Sequence, residues 1–409
     1  MTVKANGAYA NDREACSRPA AGTSHDTPAA WGGVLAMSLG AFALVASEFM
    51  PVSLLTPVAA DLHITEGQAG QAISVSGAFA VMTSLFISSL AGKLDRKLLL
   101  LGMSLLMIAS GSIAAFAPNF TVFMIGRAFV GVAIGGFWSM SAATAMRLVP
   151  DRHVPRALAI VNGGNALATV VAAPLGSYLG AMVGWRGAFF CLVPVAALAL
   201  GWKLASLPSM PASAEAGAGR AFALLRRPAV ALGMLAVSLF FMGQFALFTY
   251  LRPFLELETR ADAALLSLLL LVIGVAGFIG TTLIGALLKS GLFRILVAIP
   301  LIMAAIAVAL PAFGASAMVT ALLLAVWGLV GTSAPVAWFT WLAQTLPDDA
   351  ETGGGLMVAV IQLAIASGAT VGGVLFDANG YQATFGASAA VLVAAAIVAV
   401  MAGRAVRGA

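Results

Sequence analysis

Charge is what this chain of 409 residues has least of: Asp, Glu, Lys and Arg together make up 9% of it. An ordinary soluble domain carries about 25%, so a water-soluble globule is excluded as the body of the protein. Cysteine is nearly absent as well. Cys16 lies in the N-terminal tail and Cys191 in the sixth apolar segment, and two such residues make no disulfide framework. His25, His63 and His153 are scattered, so no metal-ligand cluster is read and no cofactor is implied. There is no phosphate-binding loop, nucleophile elbow or catalytic triad, so the chain is not read as an enzyme.

What is present is long apolar sequence. The chain is 61% hydrophobic with a mean hydropathy of +1.02. A bilayer-spanning helix needs about 20 mainly apolar residues. Twelve segments meet that length, at roughly 32–60, 69–92, 98–117, 120–148, 156–181, 187–207, 229–255, 263–288, 292–311, 316–345, 354–376 and 382–402. Their apolar runs are continuous rather than alternating, which favours helices over a β-barrel. The expected class is an all-α membrane protein with twelve transmembrane helices in two pseudo-symmetric six-helix bundles.

The cations set a direction. With the N-terminus in the cytoplasm, seventeen of the 21 Lys and Arg fall on the cytoplasmic side, Lys203 counted among them. Arg186, Arg252 and Arg260 fall outside and Arg127 lies within the membrane. This asymmetry predicts both termini cytoplasmic. The net charge of +5 is spread over loops and not clustered on a soluble face, so no nucleic-acid partner is expected. Residues 1–30 read as a disordered cytoplasmic tail without the apolar core of a signal peptide. Residues 31–207 read as an N-terminal six-helix bundle, 208–228 as a cytoplasmic linker and 229–409 as a C-terminal bundle.

The two bundles repeat each other at an offset of 196 residues. Ser47-Glu48-Phe49 falls on Gly243-Gln244-Phe245, Pro57 on Pro253, Gly176 on Gly372, and Gly184 to Phe189 on Gly380 to Phe385. Parallel repeats around a midplane site are a known plan of secondary transporters.

Two charges stand deep inside apolar segments, Glu48 in the first and Arg127 in the fourth. An intramembrane ionisable residue is costly and is a functional-site hypothesis by default. The pair fits either proton coupling or a structural ion pair between two helices.

Several motifs resemble those of the major facilitator superfamily. Arg127 to Gly131 resembles its fourth-helix RxxxG motif, and Ala172-Ala-Pro174-Leu-Gly176 the fifth-helix motif of its proton antiporters. Gly92 to Lys97, with Asp95 and Arg96, resembles a shortened form of the family's loop between helices two and three. Gly184-Trp-Arg-Gly-Ala-Phe189 resembles the family's turn into the sixth helix. Within the family the chain is similar to the twelve-helix drug:proton antiporters, and among these to purine ribonucleoside exporters. Glu48 to Pro57, Gly135 to Ser141, Met146 to Pro150, Gly243 to Pro253 and Val358 to Ala364 carry that likeness.

The resemblance implies a monomeric multi-pass protein of the bacterial inner membrane. It implies export of a small molecule, a purine ribonucleoside such as inosine or guanosine, in exchange for protons. Sugars, nucleobases or amphipathic drugs are alternative cargoes, and an uncoupled channel or facilitator is the alternative mechanism. It also assigns conformational roles to Asp95, Arg96, Gly131, Pro174 and Gly176.

A nucleoside site needs aromatic faces and a few amides. The candidates are Phe137 and Trp138, Asn162 and Asn165, Gln244, Phe245, Phe248 and Tyr250, Trp338 and Trp341, and Gln362. Each has a plainer reading as helix packing or interhelical hydrogen bonding.

Overall fold

The computed structural model describes residues 29–90, 94–211, 222–288, 291–347 and 349–407. Most of the expected tail, residues 1–28, and positions 212–221 of the expected linker lie outside the described residues, as do Gly92 and Lys93. The first half is α1 (Trp31–Leu62), α2 (Glu66–Leu90), α3 (Arg96–Ala115), α4 (Phe120–Arg147), α5 (Val154–Phe190) and α6 (Leu192–Ser206). The second is α7 (Pro228–Phe248), α8 (Leu251–Leu257), α9 (Ala263–Leu288), α10 (Leu292–Phe313), α11 (Ala317–Gly331), α12 (Ala334–Thr345) and α13 (Ala350–Arg407).

Ten stretches among the described residues are long and apolar enough to cross a bilayer. Two of them, Val154–Ser206 and Thr352–Val406, run 53 and 55 residues, about twice the needed length. Each breaks at a glycine with φ +75°, Gly184 and Gly380, in the region that costs other residues a clash at Cβ. Counting each as two crossings agrees with the twelve segments of the sequence. The breaks that stay inside single crossings follow from proline. Pro253 cannot donate to the Thr249 carbonyl, and helix gives way between α7 and α8. Pro335, in the first turn of α12, marks the break after Gly331.

The repeat is visible in contacts. Phe49 and Phe245, equivalent under the 196-residue offset, stack on one another with ring centroids 5.7 Å apart. A side chain at Gly176 would meet Ser53 and Met50, and one at Gly372 would meet Ala246, the equivalent of Met50. Within the first half α1 packs on α5, α6 and α2, and α4 on α2 and α3. The halves meet where α2 lies against the first part of α13 and α5 against α9.

Candidate functional site

The site is built on α1. Pro51 has no N–H, so the Ser47 carbonyl four residues back is left without its helical donor. Arg127 of α4 supplies the replacement. Its Nη1 donates to Ser47 O at 2.8 Å, Nη2 to Glu48 O at 3.2 Å and to Ser76 Oγ at 3.3 Å, and Nε to Ala72 O at 3.1 Å. This guanidinium is 1% exposed and ties α4 to both α1 and α2. Close approach is possible because α4 carries Gly131, where a Cβ would lie 2.3 Å from the Ser76 carbonyl oxygen.

Glu48 sits one residue beyond that carbonyl and is 5% exposed. Its carboxylate is not paired with Arg127, which takes the Glu48 backbone oxygen instead. Glu48 Oε1 accepts from Nε2 of Gln362, 3.1 Å away on α13 in the other half. The buried acid therefore lies at the joint between the bundles, and the ion pair considered from the sequence is absent in this conformation.

The other candidates separate into groups. Phe245 is buried, stacks on Phe49 and meets Phe248 edge-on at 5.9 Å. Gln244 is half-buried, with its Oε1 lacking a hydrogen-bond partner among the described residues. The Oε1 of Gln362 is likewise buried and unpartnered. Glu48, Gln362 and Phe245 with Phe49 link the two halves at mid-helix, and Gln244 lies beside Gly331 of α11; these are termed the midplane group.

Trp338 and Trp341 are buried and meet edge-on at 5.9 Å. The Trp341 ring lies over Gly233 and its Nε1 has no partner among the described residues. Trp138 is half-buried and meets Phe137 edge-on at 5.5 Å. Asn162 is exposed and bonds back to Leu158 O at 2.9 Å, while Asn165 is half-buried.

Tyr250 falls elsewhere. It is fully buried between the halves near the end of α1 opposite residue 31, hereafter the far face. Its hydroxyl donates to Ala369 O at 2.8 Å, its ring stacks on Phe376, and it fills the space left by Gly70 and Gly373.

Three features were not singled out from the sequence. Lys203, counted there among the loop cations, is instead 1% exposed inside the first half. Its Nζ donates to Ser104 Oγ at 2.9 Å and lies 5.1 Å from the centre of the Phe137 ring. A cation within the last turn of an apolar helix was the available signal. Arg252 pairs with Glu256 at 2.8 Å and also donates across the halves to Ser53 O, the carbonyl that Pro57 leaves without a donor. Asp377 accepts from Thr65 Oγ1 at 2.6 Å and Gly67 N at 2.9 Å. It thereby caps the start of α2 from the other half.

The described hydrogen bonds between halves thus run from Glu48–Gln362 at mid-depth, through Ser74 and Thr370 at 2.8 Å, to Asp377 at the far face. On the near face, among the described residues, Arg227 pairs with Asp349 at 3.5 Å within the second half, and Asp95 serves the first. Asp95 caps α3 through Lys97 N at 2.7 Å and also accepts from Met210 N and the Ser209 hydroxyl. That hydroxyl bond, then the backbone N–H groups, holds the Asp95 carboxylate below its usual range. Arg96 is buried and its backbone N–H donates to Met210 O at 3.0 Å. Pro174 and Gly176 lie on the buried face of α5, against α1.

Comparison with known proteins gives a consistent setting. The profile of the Major Facilitator Superfamily matches residues 37–369. A Pseudomonas aeruginosa protein called "Transcription regulatory protein OpdE" is 63% identical over 389 residues, covering 93% of this chain and 97% of its own. The purine ribonucleoside efflux pump NepI of Salmonella typhimurium is 41% identical over 368 residues, covering 90% and 93%. The crystal structure of a D-xylose-proton symporter superposes with a TM-score of 0.74 at 16% identity. It covers 90% of this chain and 97% of the symporter, and shows the shared fold.

Proposed function

The chain belongs to the Major Facilitator Superfamily and is a multi-pass inner-membrane transporter of small molecules, and we propose that it exports purine ribonucleosides in exchange for protons. The observation that carries this reading is Glu48: a buried carboxylate at the joint between the halves, hydrogen-bonded to the second half, while Arg127 bonds its backbone oxygen. The cargo class rests on the 41% identity to purine ribonucleoside efflux pumps.

The mechanism follows from elementary constraints. Glu48 takes a proton from the periplasmic side and loses it toward the cytoplasm as the bundles rock. One proton moving through about 100 mV and one pH unit supplies roughly 3.7 kcal/mol. That sustains a gradient of several hundredfold for a neutral solute. The near face is taken as cytoplasmic on the distribution of cations. The halves are then tied together from mid-depth to the periplasmic side, as suits a carrier ready to load from the cytoplasm. The domain boundaries at 31–207 and 229–409, joined by a cytoplasmic linker at 208–228, belong to the same reading. The midplane group is uncharged apart from Glu48, so anionic nucleotides would be poor cargo.

A second reading comes from the 63% relative, whose name assigns it to transcription regulation. Export of a small-molecule inducer would change transcription without any contact with DNA, so one transport activity accommodates both names. Uptake into inverted membrane vesicles of labelled inosine, adenine, arabinose and chloramphenicol tests the cargo. Proton-dependent uptake of inosine is expected. Uptake of arabinose or chloramphenicol without inosine would overturn the nucleoside assignment, and absence of all transport beside an intact transcriptional effect would favour a regulator.

A further inference from the structure

Gln362 is the polar side chain that meets Glu48 from the other bundle. Its carboxamide is used on one side only. Nε2 donates to Glu48 Oε1 at 3.1 Å, while Oε1 is buried and has no partner among the described residues. A buried acceptor left unpaired is costly and calls for an explanation. The side chain is 7% exposed, so bulk water does not supply one.

A carboxamide differs from a carboxylate in presenting a donor on one side and an acceptor on the other. The observed arrangement satisfies a Glu48 that carries no proton. When Glu48 gains a proton, its new O–H needs an acceptor and its loss of charge weakens the bond from Nε2. Arg127 offers only N–H groups, and they are already committed to the carbonyls of α1 and α2. The acceptor at hand is the idle Oε1 of Gln362, reached by turning the carboxamide over.

We propose that Gln362 reads the protonation state of Glu48. The carboxamide turns over when Glu48 is protonated, so the side of Gln362 facing away from Glu48 changes from acceptor to donor. This rests on Glu48 being the proton site. The proton ends on a Glu48 oxygen and its hydrogen bond ends on Gln362 Oε1, with no other group gaining or losing a proton.

The chemical class of cargo follows. Gln362 and, on the neighbouring α7, Gln244 both have amide oxygens without partners among the described residues. The idle Gln362 acceptor beside Glu48 suits a neutral solute that offers N–H or O–H donors. Protonation of Glu48 replaces the Gln362 acceptor by an N–H, sets donor against donor, and weakens that solute by about tenfold to a hundredfold. Proton gain and cargo release are thereby linked through one side chain, which is the requirement of exchange. Gln362 acts here as a positioning and specificity residue.

Infrared difference spectra of the protein in lipid, recorded as the pH is lowered, test this without any cargo. Wild type is expected to gain a protonated-carboxyl band and to show a simultaneous shift of a side-chain carboxamide band. Glu48→Gln should lose both signals. Gln362→Met and Gln362→Asn should keep the carboxyl band at an altered frequency and lose the carboxamide shift. A wild-type carboxyl band, removed by Glu48→Gln, with no accompanying carboxamide change overturns the role of Gln362 and leaves Glu48 as the proton site. The absence of any Glu48-dependent carboxyl band overturns both. The wild-type and Glu48→Gln spectra decide the matter even where a Gln362 variant fails to fold.

Discussion

Arg127 holds the carbonyl that Pro51 sets free. The Ser47 oxygen has no donor four residues on, and the guanidinium fills the gap at 2.8 Å while also reaching α2. One planar cation satisfies acceptors on two helices, a geometry that a point-charge ammonium does not reproduce.

Arg127→Lys is therefore expected to be damaging. A single ammonium leaves at least one of these buried carbonyls unpaired, at about 1–3 kcal/mol for each. The melting temperature of the purified variant should fall and transport should fall with it. A lysine variant with wild-type stability would show that charge, and not the fork, is what α4 provides.

The second proline of α1 repeats the arrangement across the bundles, since Pro57 frees the Ser53 carbonyl and Arg252 takes it. Opening of the far face has to break this bond. Arg252→Gln should shift the equilibrium toward an open far face. In a background with Cys16 and Cys191 replaced by Ser, a cysteine at Ser53, buried in this structure, should react several times faster with an impermeant thiol reagent once Arg252→Gln is added. An unchanged rate would remove Arg252 from the seal.

Lys203 gives a test of opposite sign. Its ammonium is buried with a hydroxyl and an aromatic face as its described partners, and no carboxylate among them. Replacing a poorly compensated buried charge by an apolar side chain of similar length is often neutral or stabilising. Lys203→Met should melt at the wild-type temperature or above it. A large loss of stability would mean that the ammonium has partners essential to the fold.

Asp95 ties the loop before α3 to Ser209 and Met210. Its carboxyl is held below the usual range, so the stabilisation it contributes is present above the unfolded value of about 3.9 and is lost as pH falls through the lower folded value. Asp95→Asn should melt below wild type at neutral pH, and the gap should close only under about pH 4. A gap independent of pH would show that the carboxylate charge contributes nothing.

The class of fold, the repeat and the burial of Glu48 and Arg127 inside the helices were legible because they rest on composition, offset and the position of charge in apolar segments. Gly184 and Gly380 are an example: matched in the sequence, they adopt the same backbone break. What the sequence did not disclose is which way side chains point once helices rotate against each other. Phe137 looked like a cavity aromatic, yet its ring lies beneath Lys203. Tyr250 looked the same, and it sits in the seal beside Gly70. Asp377 has the local pattern of a turn residue, and its partners Thr65 and Gly67 lie about 310 positions away. Glu48 and Arg127 were paired by charge alone, whereas backbone carbonyls released by proline compete for the same guanidinium.

The role of Glu48 as the proton carrier is tested most directly by Glu48→Gln in proteoliposomes, with labelled inosine as the probe. Two quantities are to be measured: accumulation driven by an imposed pH gradient, and counterflow without one. The variant should retain counterflow and lose gradient-driven accumulation. Gradient-driven accumulation by Glu48→Gln equal to that of wild type would contradict the assignment of the proton to Glu48.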